Sequence, residues 1–207
     1  MKIPLFLKSP KFKYLHKSFG KKPFKLLDVG IGNGSSRKTK ALFPLCEYHG
    51  IDLDLKYNNT EEDIRAINRF YAMDVSKLQF EEIPDNYFDG IWLVHIIEHL
   101  PNGDLVLQKL LTKLKIGGYL YVEYPNSKSV NFPGQLNFHN DETHVRIYTL
   151  KELRNVFRDH QILRSGVRRD LFLIMALPFR WLFEKPRVNM LWDLWGFAEY
   201  LWIRKTV

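Results

Sequence analysis

A short strand-like stretch, Phe24-Lys25-Leu26-Leu27-Asp28-Val29, runs straight into Gly30-Ile31-Gly32-Asn33-Gly34, and a helix-forming segment, Ser36 to Phe43, follows. Three glycines in this turn constrain the chain more than any other feature. Without Cβ atoms the backbone turns sharply and lets a ligand approach the main chain. The helix start behind the turn offers N–H groups that have no helical partner. A dinucleotide site requires G-x-G-x-x-G at this place. Here the last glycine position holds Ser35, and the spacing is G-x-G-x-G. A dehydrogenase is therefore disfavoured.

The rest of the chain alternates between strand and helix signals. Further strands are expected at Cys46 to Asp52, Phe70 to Asp74, Tyr87 to Val94 and Tyr119 to Glu123. The run at 87–94 is apolar nearly throughout, as suits a strand buried on both faces. Glu61 to Asn68 has room for about two helical turns. Leu107, Leu110, Leu111 and Leu114 recur at helical spacing along Asp104 to Leu114. A long polar and aromatic loop, 125–148, follows the fifth strand, and loops of this length are commonly functional. Thr149-Leu150-Lys151-Glu152 reads as a capping box opening another helix. Strands at Arg168 to Ile174 and Glu199 to Arg204 are expected to pair, with an aromatic insertion at 176–195 between them. The pattern predicts one α/β domain over residues 1–207, with helices on both faces of a mostly parallel sheet.

Four ordered motifs resemble the class I S-adenosylmethionine-dependent methyltransferases. The first is Asp28-Val29-Gly30-Ile31-Gly32-Asn33-Gly34. Gly50-Ile51-Asp52 ends the second strand about 20 residues on, where a carboxylate can take both ribose hydroxyls. Ala72-Met73-Asp74-Val75 ends the third strand. Tyr87-Phe88-Asp89-Gly90-Ile91-Trp92-Leu93-Val94-His95-Ile96-Ile97-Glu98-His99-Leu100 is similar to the fourth motif. Leu114-Lys115-Ile116-Gly117-Gly118 is similar to the family's lead-in to the fifth strand, with Ile116 in a usual proline's place. The resemblance covers residues 24 to 160. It implies a Rossmann-like, doubly wound, seven-stranded sheet with an antiparallel last strand. It also implies an enzyme that uses S-adenosylmethionine, held by Asp28, Gly30, Gly32, Asn33, Gly34, Asp52, Leu53, Asp74, Val75 and Val94. Asp52 would take the ribose, with Asp54 as a near alternative, and Asp74 the adenine amino group.

The acceptor side is less determined. His95, Glu98 and His99 follow the fourth strand at spacing i, i+3, i+4, which places them on one face if helical. His139, Asp141, Glu142, His144 and Arg146 lie on the long loop. The expected catalytic group comes from His144, His95, His99 and Glu98, as a general base or an orienting group. The stretch from His144 to Thr149 is similar to one found in bacterial small-molecule and glycan methyltransferases. No metal is expected as the main reading. The alternative is a divalent ion on His95, Glu98, His99 and His144, a pattern similar to ubiquinone-pathway O-methyltransferases and small-RNA 2′-O-methyltransferases. His95 stands there in place of a glutamate, which favours zinc over magnesium.

The net charge is +8, and the basic excess gathers in residues 1–23 and in the last 45 or so. Basic ends suit an anionic partner or a solvated surface. The single cysteine, Cys46, excludes an internal disulfide and fits a reducing compartment. No apolar run approaches the roughly 20 residues that span a bilayer, so a cytoplasmic protein is expected. The insertion at 176–195 offers core packing, a pocket wall, a dimer face or peripheral contact with the inner membrane face. The expected activity is methyl transfer to an oxygen or nitrogen of a small molecule, glycan or lipid-linked acceptor. The alternatives are an RNA methyltransferase, metal-assisted at the 2′-oxygen, and a non-catalytic partner subunit. A missing Asn-Pro-Pro-Tyr at the fourth strand argues against DNA-base methylation.

Overall fold

The computed structural model describes residues 10–132, 137–169, 171–183 and 188–207. Seven strands form a single sheet: β1 (Phe24–Val29), β2 (Cys46–Asp52), β3 (Arg69–Ala72), β4 (Phe88–Val94), β5 (Leu114–Pro125), β6 (Gln161–Arg168) and β7 (Ala198–Arg204). Their order is β3-β2-β1-β4-β5-β7-β6. Neighbours among β1 to β5 run parallel, and β7 is antiparallel to both β5 and β6. The strand order reverses between β1 and β4, which is where an open α/β sheet binds its ligand.

Helices cover both faces: α1 (Pro10–Phe19), α2 (Ser35–Leu42), α3 (Glu61–Arg65), α4 (Gly103–Lys113), α5 (Leu150–Val156), α6 (Leu171–Met175), α7 (Leu177–Phe183) and α8 (Val188–Trp195). Alternate residues of the central strands feed two cores. Leu27, Val29, Ile91, Leu93 and Val122 pack with Val106, Leu107 and Leu110 of α4 and Leu153 of α5. Leu26, Trp92, Tyr121 and Trp202 pack with Phe12, Tyr14 and Leu15 of α1. Burying two faces explains why β4 is apolar nearly from end to end.

Most expected elements appear within a few residues of their places, and the capping box at Thr149 and Glu152 forms as read. Three differences have physical causes. The strand expected at 168–174 is instead β6 at 161–168, followed by α6. β6 is an edge strand paired on one side only, so it carries no continuous apolar run to announce it. The apolar run after it reads equally as buried strand or helix. β5 begins at Leu114 rather than Tyr119, because the pairing with β4 breaks register between Phe88 and Gly90 and absorbs the glycine pair. The basic N-terminal segment holds α1; its residues 1–9 lie outside the described residues.

In the loop at 125–148, two short 3-10 turns span Ser127–Asn131 and Phe138–Asn140, and residues 133–136 lie outside the described residues. The insertion at 176–195 does not act wholly as core. Phe179, Trp181, Leu182 and Phe183 of α7 are exposed, whereas Met190 of α8 is buried. Residues 184–187 lie outside the described residues. No helix among the described residues is long and apolar enough to cross a membrane.

Candidate functional site

The glycine turn sits at the carboxyl end of β1 and is braced from below by Asp28. This carboxylate is buried and accepts hydrogen bonds from Ser35 Oγ at 2.6 Å and from the Tyr48 hydroxyl. Burial pushes its pKa up, against the nearby Lys11 charge and these hydrogen bonds. The Lys11 ammonium donates to Ser35 Oγ at 3.2 Å and lies 4.5 Å from the Trp92 ring centre, so α1 is tied to the turn. Asp28 thus shapes the loop from beneath it.

Gly30 and Gly32 do different work. Gly30 has φ +83°, and a Cβ there would lie 2.0 Å from Ile96 Cδ1. It is required by the fold. A Cβ at Gly32 would meet nothing closer than Asn58 Cβ at 3.6 Å. The fold does not need glycine there, so the bare backbone at Gly32 is left to serve as a cradle for a ligand laid across the turn.

Two acids lie at or just beyond the carboxyl ends of the neighbouring strands β2 and β3. Asp52, at the end of β2, accepts from Ile31 N at 3.1 Å through Oδ2 and from Leu53 N at 2.7 Å through Oδ1. Its carboxylate is thereby fixed to the turn it faces. Asp74 caps the next 3-10 turn, accepting from Ser76 N at 2.9 Å and Ser76 Oγ at 2.6 Å on the same oxygen, Oδ1. The Ser76 bonds hold its carboxyl below the usual range. Asp52, Asp74 and Val94 are part-exposed along one sheet edge, Val75 is buried, and Leu53 and Asn33 are exposed beside them.

Across the switch point, His95 follows β4 with φ +56°, a left-handed conformation that costs a non-glycine residue. Its Nδ1 lies 3.2 Å from Glu98 Oε1 and its Nε2 3.5 Å from Glu123 Oε1. Glu123 is fully buried and also accepts from Arg168 Nη1 at 2.6 Å and the Tyr121 hydroxyl at 2.5 Å. Burial opposes the charge on His95, but bonds to Glu123 and Glu98 outweigh it and raise its pKa to about 9. Burial also opposes the charge on Glu123, but His95, Arg168 and Tyr121 hold its pKa down at about 2. At neutral pH His95 is an imidazolium, suited to donating and orienting rather than to taking a proton.

Glu98, His99 and His144 converge, with ligand atoms all within 4.8 Å of one another. His95 stays outside this trio. His99 Nδ1 donates to Thr143 O at 3.1 Å, and His144 Nδ1 donates to Phe138 O at 2.8 Å. Through these bonds each Nδ1 faces a carbonyl of the long loop, and His144 Nε2 lies 3.6 Å from Asp141 Oδ2. The same bonds tie the long loop to the end of β4, as do those from Val145 N and Arg146 N to Glu98 O. Loop-tying accounts for the hydrogen bonds of His99 and His144, while Glu98 Oε2 lies buried beside them without a hydrogen-bond partner among the described residues. Loop-tying predicts that the purified protein carries no stoichiometric divalent ion and that EDTA leaves its melting temperature unchanged. A fall in melting temperature reversed by zinc would assign the trio to a metal.

The sequence reading missed Lys11, Tyr48, Glu123 and Arg168. Only Glu123 had a signal, as a lone acid inside the apolar run Tyr119 to Tyr124.

A family model described as a methyltransferase domain matches residues 6–161. The chain is 27% identical over 113 residues to (S)-coclaurine N-methyltransferase of Papaver somniferum, covering 52% of this chain and 31% of that protein. It is 29% identical over 104 residues to phosphoethanolamine N-methyltransferase 2 of Caenorhabditis elegans, covering 47% of this chain and 23% of that protein. The chain therefore spans less than a third of the length of these curated relatives. Its fold is shared with a SAM-dependent methyltransferase from Archaeoglobus fulgidus at TM-score 0.60 and 18% identity, covering 94% of this chain and 91% of the other. By the match across residues 6–161, the chain belongs to the methyltransferase-domain family, within the class I S-adenosylmethionine-dependent methyltransferases.

Proposed function

We propose that the protein transfers a methyl group from S-adenosylmethionine to a nitrogen of a small molecule. The observation that carries this reading is a glycine at position 32 that the fold does not require, in a turn bonded to Asp52, with Asp74 beyond the carboxyl end of the next strand, β3. The choice of nitrogen rests on the two curated relatives, both N-methyltransferases by name. When bound, the cofactor supplies a methyl group on a positively charged sulfur that is already a good leaving group. The chain has to hold the acceptor in line behind that methyl and keep water out. Asp52 is the residue for the ribose hydroxyls. Asp74 offers Oδ2, which Ser76 leaves free, to the adenine amino group. Val75, Val94 and Leu53 supply apolar contact. His95, fixed by Glu98 and Glu123, orients the acceptor, and His144, held to the loop through Nδ1, is the general base. The exposed apolar side chains of α7 support peripheral contact with a membrane.

Calorimetry with S-adenosylhomocysteine tests the cofactor half, with micromolar binding expected. A labelled-methyl assay on extract fractions tests the acceptor half, with transfer expected into the small-molecule fraction. Absence of nucleoside binding by the wild-type protein would refute the reading.

A further inference from the structure

The segment between β6 and β7 is built with its polarity reversed. It carries α6, α7 and α8, and α6 packs on both of the others. Arg180 of α7 donates through Nη1 to Asp193 Oδ2 of α8 at 2.6 Å, and these two side chains are only 18% and 16% exposed. Phe179, Leu182 and Phe183 of the same helix are 72%, 71% and 83% exposed. They recur at i, i+3 and i+4, so they share one face of α7. Trp181 beside them and Met175 of α6 are exposed too, and no residue of α7 is buried. In water a chain gains by turning apolar side chains inward and leaving an ion pair outside. Here the ion pair is inside and the apolar groups are outside, which suits an apolar surrounding. No helix among the described residues is long and apolar enough to cross a membrane, so α7 is an element that lies in an interface.

Charge decides what covers this face. The chain carries a net charge of +8. A second copy brings the same charge and is repelled, whereas an anionic bilayer attracts it. Arg169 is exposed at the root of the segment and donates through Nε to Leu194 O at 2.8 Å, next to the exposed side chains of Leu194 and Trp195. A cation is thereby set beside an aromatic ring at the edge of the apolar surface, the pairing that meets lipid headgroups.

The segment is rooted beside His95. Gly196 packs on β6, where a Cβ would lie 2.2 Å from Val167 Cγ1, and Phe197 stacks on the His95 ring with centres 6.4 Å apart. The Arg168 guanidinium lies 4.9 Å from the Phe197 ring centre and donates to Glu123 Oε1 at 2.6 Å. We propose that α6, α7 and α8 form a cap that docks on an anionic lipid bilayer. Phe179, Leu182 and Phe183 enter the boundary between headgroups and acyl chains, and Arg169 meets the headgroups. The proposal rests on the methyltransferase reading and names the surface at which that enzyme works. Its roots at Arg168 and Phe197 tie the docked cap to the acceptor side of the site.

The test is cosedimentation of the full chain with vesicles of phosphatidylcholine and phosphatidylglycerol in equal parts, and with vesicles of phosphatidylcholine alone. Mixed vesicles are expected to bind at least about 10-fold more tightly than neutral ones. The triple variant Phe179→Ser, Leu182→Ser and Phe183→Ser should bind mixed vesicles at least about 100-fold more weakly. Its melting temperature and its affinity for S-adenosylhomocysteine should stay at wild-type values, because all three side chains are exposed. Arg169→Gln should weaken binding to mixed vesicles about 5-fold and leave neutral vesicles unchanged. Lipids brominated along the acyl chain should quench the fluorescence, and Trp181→Phe should remove most of that quenching. Vesicle binding that the triple variant keeps, or quenching indifferent to Trp181→Phe, overturns the cap. So does a wild-type dimer in sedimentation velocity that ignores vesicles and that the triple variant abolishes. A chain that binds S-adenosylhomocysteine but no vesicle loses the cap and keeps the methyltransferase reading. A chain that binds vesicles but no S-adenosylhomocysteine refutes that reading instead.

Discussion

Gly32→Val abolishes binding of S-adenosylhomocysteine and leaves the melting temperature within a few degrees of wild type. Two facts separate these effects. A Cβ at Gly32 meets Asn58 Cβ at 3.6 Å and Tyr57 O at 3.9 Å, which are ordinary contacts, so the folded chain accepts it. The branched methyls then fill the space over the turn that a ligand needs. The expected loss is at least about 100-fold in affinity, or about 2.7 kcal/mol, by calorimetry. Gly30→Ala is the contrasting variant. There the backbone is left-handed at φ +83° and the new Cβ lies 2.0 Å from Ile96 Cδ1. Backbone strain and overpacking each cost on the order of 1–3 kcal/mol, so this variant loses stability as well as binding. Nucleoside binding by Gly32→Val at wild-type affinity would show that the cradle is not the site.

The contrast between these glycines marks how far the sequence could be read. The G-x-G-x-G spacing located the turn and excluded the dinucleotide pattern at Ser35, because backbone requirements are local. It could not say which glycine serves the fold and which the ligand, since that depends on Ile96 and Asn58, far away in sequence. The central strands were legible for a similar reason: two-sided burial writes a continuous apolar run into β4. The edge strand β6 left no such trace. Catalytic candidates suffered most. His95, Glu98, His99 and His144 were visible as residue types, but what each can do is set by partners on other strands. Glu123 raises the pKa of His95, and Thr143 O and Phe138 O hold the rings of His99 and His144 through their Nδ1 atoms.

The same partnership makes stability depend on pH in a defined way. The His95 pKa rises from 6.5 to about 9, so its contribution is complete below pH 6.5 and is lost as pH climbs through 9. The Glu123 pKa falls from 4.5 to about 2, so its contribution is complete above pH 4.5 and is lost as pH falls toward 2. The cluster therefore stabilises most between pH 4.5 and 6.5. Urea unfolding should show an alkaline decline between pH 6.5 and 9 that His95→Gln removes. An identical decline in the variant would refute the charged pair. Arg168→Met should have the larger effect at any single pH. It withdraws the 2.6 Å partner of a carboxylate that is 0% exposed, and an uncompensated buried charge costs roughly 3–5 kcal/mol. Arg168 is itself 29% exposed, and Tyr121 and His95 remain, so a loss at the lower end, about 3 kcal/mol, is expected. Adding Glu123→Gln to Arg168→Met should recover part of that loss, because it removes the charge that the arginine was holding. A double variant no more stable than Arg168→Met would mean that the arginine acts through packing alone.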